Sequence, residues 1–181
     1  MKALLLLLFF FPFSTSFSQE SEMHLSVVQD IRLIAIGDDK GNGPFTTNIL
    51  IHFELNVFEF KKSRFPFLIG LEYSDLKSAN YHRFFIGFGY VVEFSFLKKF
   101  NFGWFINHGI IFRGKGFHPA NKKGENSFMS LGVGIETTYP ITNKLRLSLI
   151  YQAIDRNDLA IRFGTERNIK GSVFLGVKFA L

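Results

Sequence analysis

SVFLGVKFAL, residues 172–181, alternates with period two: Val173, Leu175, Val177, Phe179 and Leu181 are separated by Ser172, Phe174, Gly176, Lys178 and Ala180. As an extended strand it carries one unbroken apolar face. An exposed apolar strand edge is a template for aggregation, and chain ends fray in water unless tied down. The segment is therefore expected to pair with another strand, and the rest of the sequence must supply both that partner and a medium for the apolar face.

The same alternation recurs upstream. HLSVVQDIRLIAIG (24–37) sets Leu25, Val27, Ile31, Leu33 and Ala35 against Ser26, Asp30 and Arg32, which predicts one long strand. NILIHFELNVFEF (48–60) sets Ile49, Ile51, Phe53, Leu55 and Val57 against His52, Glu54 and Asn56, then slips phase at Phe58 and Phe60, as a β-bulge would make it do. FPFLIGLEYS (65–74) opposes Phe65, Phe67, Ile69, Leu71 and Tyr73 to Gly70, Glu72 and Ser74. RFFIGFGYVVEFSF (83–96) opposes Phe84, Ile86, Phe88, Tyr90, Val92, Phe94 and Phe96 to Arg83, Gly87, Gly89, Glu93 and Ser95. NFGWFINHGIIFR (101–113), SFMSLGVGIETTY (127–139) and KLRLSLIYQA (144–153) repeat the pattern, so that with the last segment there are eight predicted strands.

The connections alternate as well. KKSR, LKK and PITNK follow the second, fourth and sixth strands, whereas longer polar stretches follow the first, third, fifth and seventh. Tight turns at one end and long loops at the other, with an even strand count, are the layout of a membrane barrel. A closed barrel satisfies every backbone group in lipid, and it would pair residues 172–181 with the first strand.

Met1-Lys2 followed by the apolar run Ala3–Phe13 and the small residues of STSFSQ has the form of a secretory signal, with residues 1–18 removed before Gln19 and residues 19–181 forming one barrel domain. The apolar run falls short of the roughly 20 residues a spanning helix needs. The chain contains no Cys, which excludes disulfides, thiolate metal sites and a thiol nucleophile. Its net charge of +6 is spread along the sequence rather than gathered into a stripe, which suits an anionic lipid surface and not nucleic acid.

A lipocalin-like barrel also alternates, but with its apolar face inward. Here the polar face repeatedly uses Gly and Ser (Gly70, Gly87, Gly89, Gly103, Gly132, Gly134, Ser130, Ser148) while the apolar face carries the bulky, Phe-rich side chains, so the apolar face is assigned outward. Eight strands leave an interior just wide enough for side chains to fill. Glu54, Glu72, Glu93 and Glu136 then point inward, with Arg32, Arg146 and Lys178 as counter-charges, since a buried carboxylate is costly unless paired. The expectation is a mutually neutralised polar plug.

With its signal-like start, eight alternating segments and final strand with apolar residues at alternate positions, the chain resembles the small eight-stranded outer-membrane β-barrel proteins, of the OmpA type. The resemblance spans residues 19–181. It implies an antiparallel up-and-down transmembrane barrel in the outer membrane, in contact with outer-membrane lipid and lipopolysaccharide, with a structural or surface-interaction role. It also implies that the barrel-assembly machinery reads the last strand, often through a terminal aromatic; this chain has Leu181 last and Phe179 two residues earlier. A narrow porin-like pore is the alternative role.

Sites of chemistry are few. DDKGNG (38–43) lacks calcium-loop ligands, with Lys40 and Ile49 at the third and twelfth positions counted from Asp38. GKG (114–116) lacks the spacing of a phosphate loop. The His residues form no i, i+2 or i, i+4 pair, so neither a metal nor any other cofactor is expected. His108 falls by parity on the outward face between Ile106 and Ile110, which predicts either a position near the headgroups or a bulge turning it inward. Lipid A deacylases and related acyloxyacyl hydrolases are also eight-stranded barrels, with a His-x-Ser-Asn stretch supplying base and nucleophile. HPAN (118–121) resembles that stretch but has Ala120 at the nucleophile position, and YQAIDRN (151–157) has Ala153 and Asp155 where His and Ser would fall. No catalytic activity is expected.

Overall fold

The computed structural model describes residues 22–37, 42–76, 80–93, 99–114, 127–156 and 169–181. The segment expected to be a signal peptide, the calcium-like and GKG stretches in large part, the HPAN motif, and Phe94, Ser95 and Phe96 lie outside these residues. Eight strands form a closed antiparallel barrel in sequence order: β1 (Met23–Asp30), β2 (Asn48–Phe60), β3 (Ser63–Ser74), β4 (Tyr81–Glu93), β5 (Asn101–Arg113), β6 (Ser127–Pro140), β7 (Leu145–Asp155) and β8 (Ile169–Ala180). The last strand closes on the first, with Val27 opposite Val177 and the Leu181 amide donating to the Met23 carbonyl at 3.0 Å. At this seam Gly176 is obligatory, because a Cβ there would overlap the Val27 carbonyl oxygen.

The phase slip in the second segment is a bulge. Asn56 pairs with Pro66 and Phe58 with Phe65, leaving Val57 as the extra residue, after which Phe58 and Phe60 face outward again. The tight β2–β3 turn consists of Lys61 and Lys62, with Lys61 left-handed at φ 56.

The first segment departs from expectation. Strand β1 stops at Asp30, and Ile31–Ala35 form a short helix, α1. The cause is local: the buried Asp30 carboxylate caps the helix by accepting from the Arg32 amide at 3.1 Å, and it also accepts from Asn48 Nδ2 at 3.2 Å. Alternation of apolar residues over a short stretch did not outweigh an N-cap held in place by a neighbouring strand.

The faces follow the predicted assignment. Phe88 (63% exposed), Ile135 (60%) and Trp104 (55%) stand on the outer wall beside Phe84, Ile86, Met129, Leu131 and Val133. Soluble monomers rarely expose contiguous apolar patches above a few hundred Å²; a wall of this kind matches hydrocarbon. His108 also faces outward, opposite Ile86 and Leu131, with regular pairing on both sides. No bulge turns it inward. It stands at mid-strand with Trp104 and Phe112 outward on either side, rather than at the edge of the apolar belt.

Candidate functional site

The lumen is where polar chemistry concentrates, and it is layered. At mid-height Val28, Leu50, Leu68, Phe85, Phe105, Ile150 and Phe174 form one buried apolar cluster contributed by seven strands. Glycines make room for its rings: a Cβ on Gly134 would overlap the Phe105 ring, and one on Gly70 the Phe85 ring. The polar lumen expected from the sequence is therefore interrupted. Two separate polar clusters flank an apolar centre, because Phe85, Phe105 and Phe174 fall on the inward parity beside the Gly and Ser residues that signalled that face.

On the side of the tight turns, Lys178 bridges two carboxylates. Its Nζ donates to Glu54 Oε1 at 2.6 Å and to Glu136 Oε2 at 2.8 Å. Glu136 also accepts from Ser148 Oγ at 2.7 Å, and His52 Nε2 lies 3.0 Å from Glu54 Oε1. All five side chains are buried. The ligand atoms of His52, Glu54 and Glu136 lie within 4.8 Å of one another, a spacing a metal ion could use, but the Lys178 ammonium sits among them as the charge they neutralise. Below this group a chamber of about 10 Å³, lined by His24, Arg64, Asn101, Thr138, Arg146 and their neighbours, has room for about one water.

On the loop side, Glu72 is the centre. It accepts from the Tyr81 hydroxyl, from Gln152 Nε2 at 3.0 Å and from Lys170 Nζ at 3.4 Å, with Arg83 Nη1 at 4.0 Å. Arg83 is fully buried; its Nε donates to Ser130 Oγ at 2.6 Å and its Nη2 to Asn107 Oδ1. Lys170 Nζ also donates to Tyr81 Oη at 2.8 Å, and the Arg156 guanidinium stacks 3.9 Å from the Tyr81 ring.

Of the seven charged residues expected in the lumen, Glu54, Glu72, Glu136 and Lys178 are brought into these clusters. Arg146 is half-buried at the turn-side mouth, where its Nε donates to Thr138 Oγ1 at 2.9 Å. Two are corrected. Arg32 lies on α1 at the loop-side rim, half exposed, bonded to Asp30 at 3.2 Å and to the Gly171 carbonyl at 2.6 Å. Glu93 has inward parity but ends β4 and is exposed. Arg83, Lys170, Tyr81 and Gln152 were missed, although parity alone places each on the inward face; their strength as partners comes from level, which a strand-by-strand reading does not contain.

These features define a class: a small closed antiparallel barrel with an apolar wall and ionic clusters inside. No protein-family pattern matches the sequence, and no curated protein matches it. Among solved structures, the barrel is similar to the outer membrane protein Ail of Yersinia pestis, determined in a phospholipid bilayer nanodisc, at TM-score 0.53 and 13% identity over 90% of this chain and 100% of that one. Neisserial surface protein A matches at TM-score 0.46 and 12% identity, over 89% of this chain and 94% of that one. The likeness to Ail is one of fold.

Proposed function

We propose that this chain is an integral outer-membrane β-barrel protein, exported and cleaved before Gln19, whose lumen is plugged and whose role is structural or one of surface interaction, without enzymatic activity. The observation that carries this reading is inverted polarity: an apolar wall surrounds a lumen in which Glu54, Glu72 and Glu136 are neutralised above and below a seven-residue apolar layer. Strands β2 to β8 run 11 to 14 residues, enough to cross hydrocarbon when tilted, where about 9–11 suffice. Lipid and lipopolysaccharide are the immediate partners, and the last strand would present Phe179 and Leu181 to the barrel-assembly machinery.

The non-enzymatic reading rests on side-chain placement. Ala153 offers no functional group, and Ser130 is turned inward onto Arg83, away from any acyl chain. Membrane fractionation with gel mobility before and after boiling tests barrel insertion. Planar-bilayer recording tests the plug: a silent bilayer is expected, and steady ohmic steps would make the protein a pore instead. Release of fatty acid from lipopolysaccharide by the refolded protein would overturn the absence of catalysis.

A further inference from the structure

Near the tight turns the outer wall carries an apolar groove. Cross-strand register aligns Tyr90, Trp104 and Tyr151 in one outward row spanning β4 to β7. The next row toward the turns has Phe102, Thr137 and Leu149 side by side. Thr137 is the small residue between two large ones, and the dip it leaves opens into a groove of about 440 Å³ lined by these six residues and their neighbours. That volume falls within the roughly 300–1,000 Å³ of small-ligand sites.

Three observations identify an occupant. The lining is hydrocarbon and aromatic, and it belongs to the wall that faces lipid. The Thr137 Oγ1 is shielded from solvent and has no hydrogen-bond partner, so a single acceptor is wanted at the turn-side end of an otherwise apolar trough. Trp and Tyr side chains gather at the membrane–water interface, and Thr137 lies in the row next to Trp104 on the turn side, so its hydroxyl belongs to the same interfacial belt, where lipid ester carbonyls also lie. Beyond it, the β4–β5 and β6–β7 connections carry the exposed Lys99 and Lys144 on either side of the β5–β6 pair.

We propose that this groove is a selective site for one anionic glycerophospholipid of the turn-side leaflet. One acyl chain lies over Ile135 between Trp104 and Tyr151, an ester carbonyl accepts from Thr137 Oγ1, and the headgroup phosphate is drawn to Lys99 and Lys144. Glu93, exposed at the end of β4 beside the same connection, opposes the headgroup. The inference rests on the membrane reading above and specifies where, and to which lipid class, the wall binds.

Trp104 is the sole tryptophan of the chain and lines the groove, so it reports occupancy directly. The mature chain is refolded into phosphatidylcholine vesicles doped with phosphatidylglycerol, with bromine on the acyl chains of one lipid or the other, and Trp104 quenching is measured. Brominated phosphatidylglycerol should quench well beyond its mole fraction, by roughly fivefold for each lysine engaged. Lys99→Glu with Lys144→Glu should abolish the preference while leaving total quenching intact; Glu93→Gln should strengthen it. Thr137→Leu, which fills the dip and removes the hydroxyl, should weaken quenching by both lipids. Quenching that tracks mole fraction alike for both lipids, or a preference indifferent to the lysines, overturns the site. Quenching that falls as protein density rises would assign the groove to a second barrel and equally overturns it. Absence of quenching by every brominated lipid would instead refute the membrane reading itself.

Discussion

Replacing Lys178 with Met should expose what holds the turn-side half of the lumen together. Lys178 is 4% exposed, and its ammonium is bonded to Glu54 and Glu136 at 2.6 and 2.8 Å. Without it, two carboxylates whose oxygens lie within 4.8 Å of each other face one another in a space closed on one side by the apolar layer. At an effective dielectric of about 20, two unit charges at that separation repel by about 3.5 kcal/mol. Breaking one partner out of a buried ionic group independently costs about 3–5 kcal/mol. Lys178→Met should therefore lower unfolding free energy by about 3–5 kcal/mol, read as a shifted urea midpoint from Trp104 emission and from the fraction of unboiled protein with folded gel mobility. The triple variant Lys178→Met, Glu54→Gln, Glu136→Gln removes all the charges and should recover most of the loss, since uncharged replacements of buried ionic groups are often neutral. A loss below about 1 kcal/mol in the single variant, the scale of an exposed pair, or a triple variant no more stable than the single, would refute the assignment of this cluster as a mutually neutralised ionic lock.

Gly134→Val drives a side chain into the Phe105 ring and should cost about 1–3 kcal/mol, with Phe105→Ala in the same chain relieving part of it; urea unfolding reads both. Asp30→Ala removes the α1 cap and the acceptor for Asn48, so hydrogen exchange should show lost protection at the Arg32 amide and a stability cost of about 0.5–2 kcal/mol. Replacing Phe105 and Phe174 together with Ala thins the apolar layer and should produce measurable current in planar bilayers, where the wild type is expected to be silent. Trypsin added to intact cells should cut within 114–127, at Lys115, Lys122 or Lys123, and spare Lys61 and Lys62 in the β2–β3 turn; the reverse pattern would invert the orientation.

Period-two alternation is a local property of an extended chain, and it was enough to read the outward faces of the strands, how many strands there are, that the second strand slips phase near Phe58, and that residues 172–181 close onto the first strand. The inward placement of Arg83, Phe85 and Tyr81 was equally legible from parity. Which inward residues meet was not. Lys178 reaches Glu54 across 124 residues of sequence and Glu136 across 42, and Lys170 reaches Glu72 across 98. Those encounters depend on the register accumulated around the closed sheet, which sets the height of each residue in the lumen and which no single strand encodes. The same geometry sets depth along the barrel: it leaves Glu93 beyond the lumen, holds His108 at mid-strand, and lets Asp30, pinned by Asn48 from the neighbouring strand, end β1 and start a helix where alternation alone called for more strand.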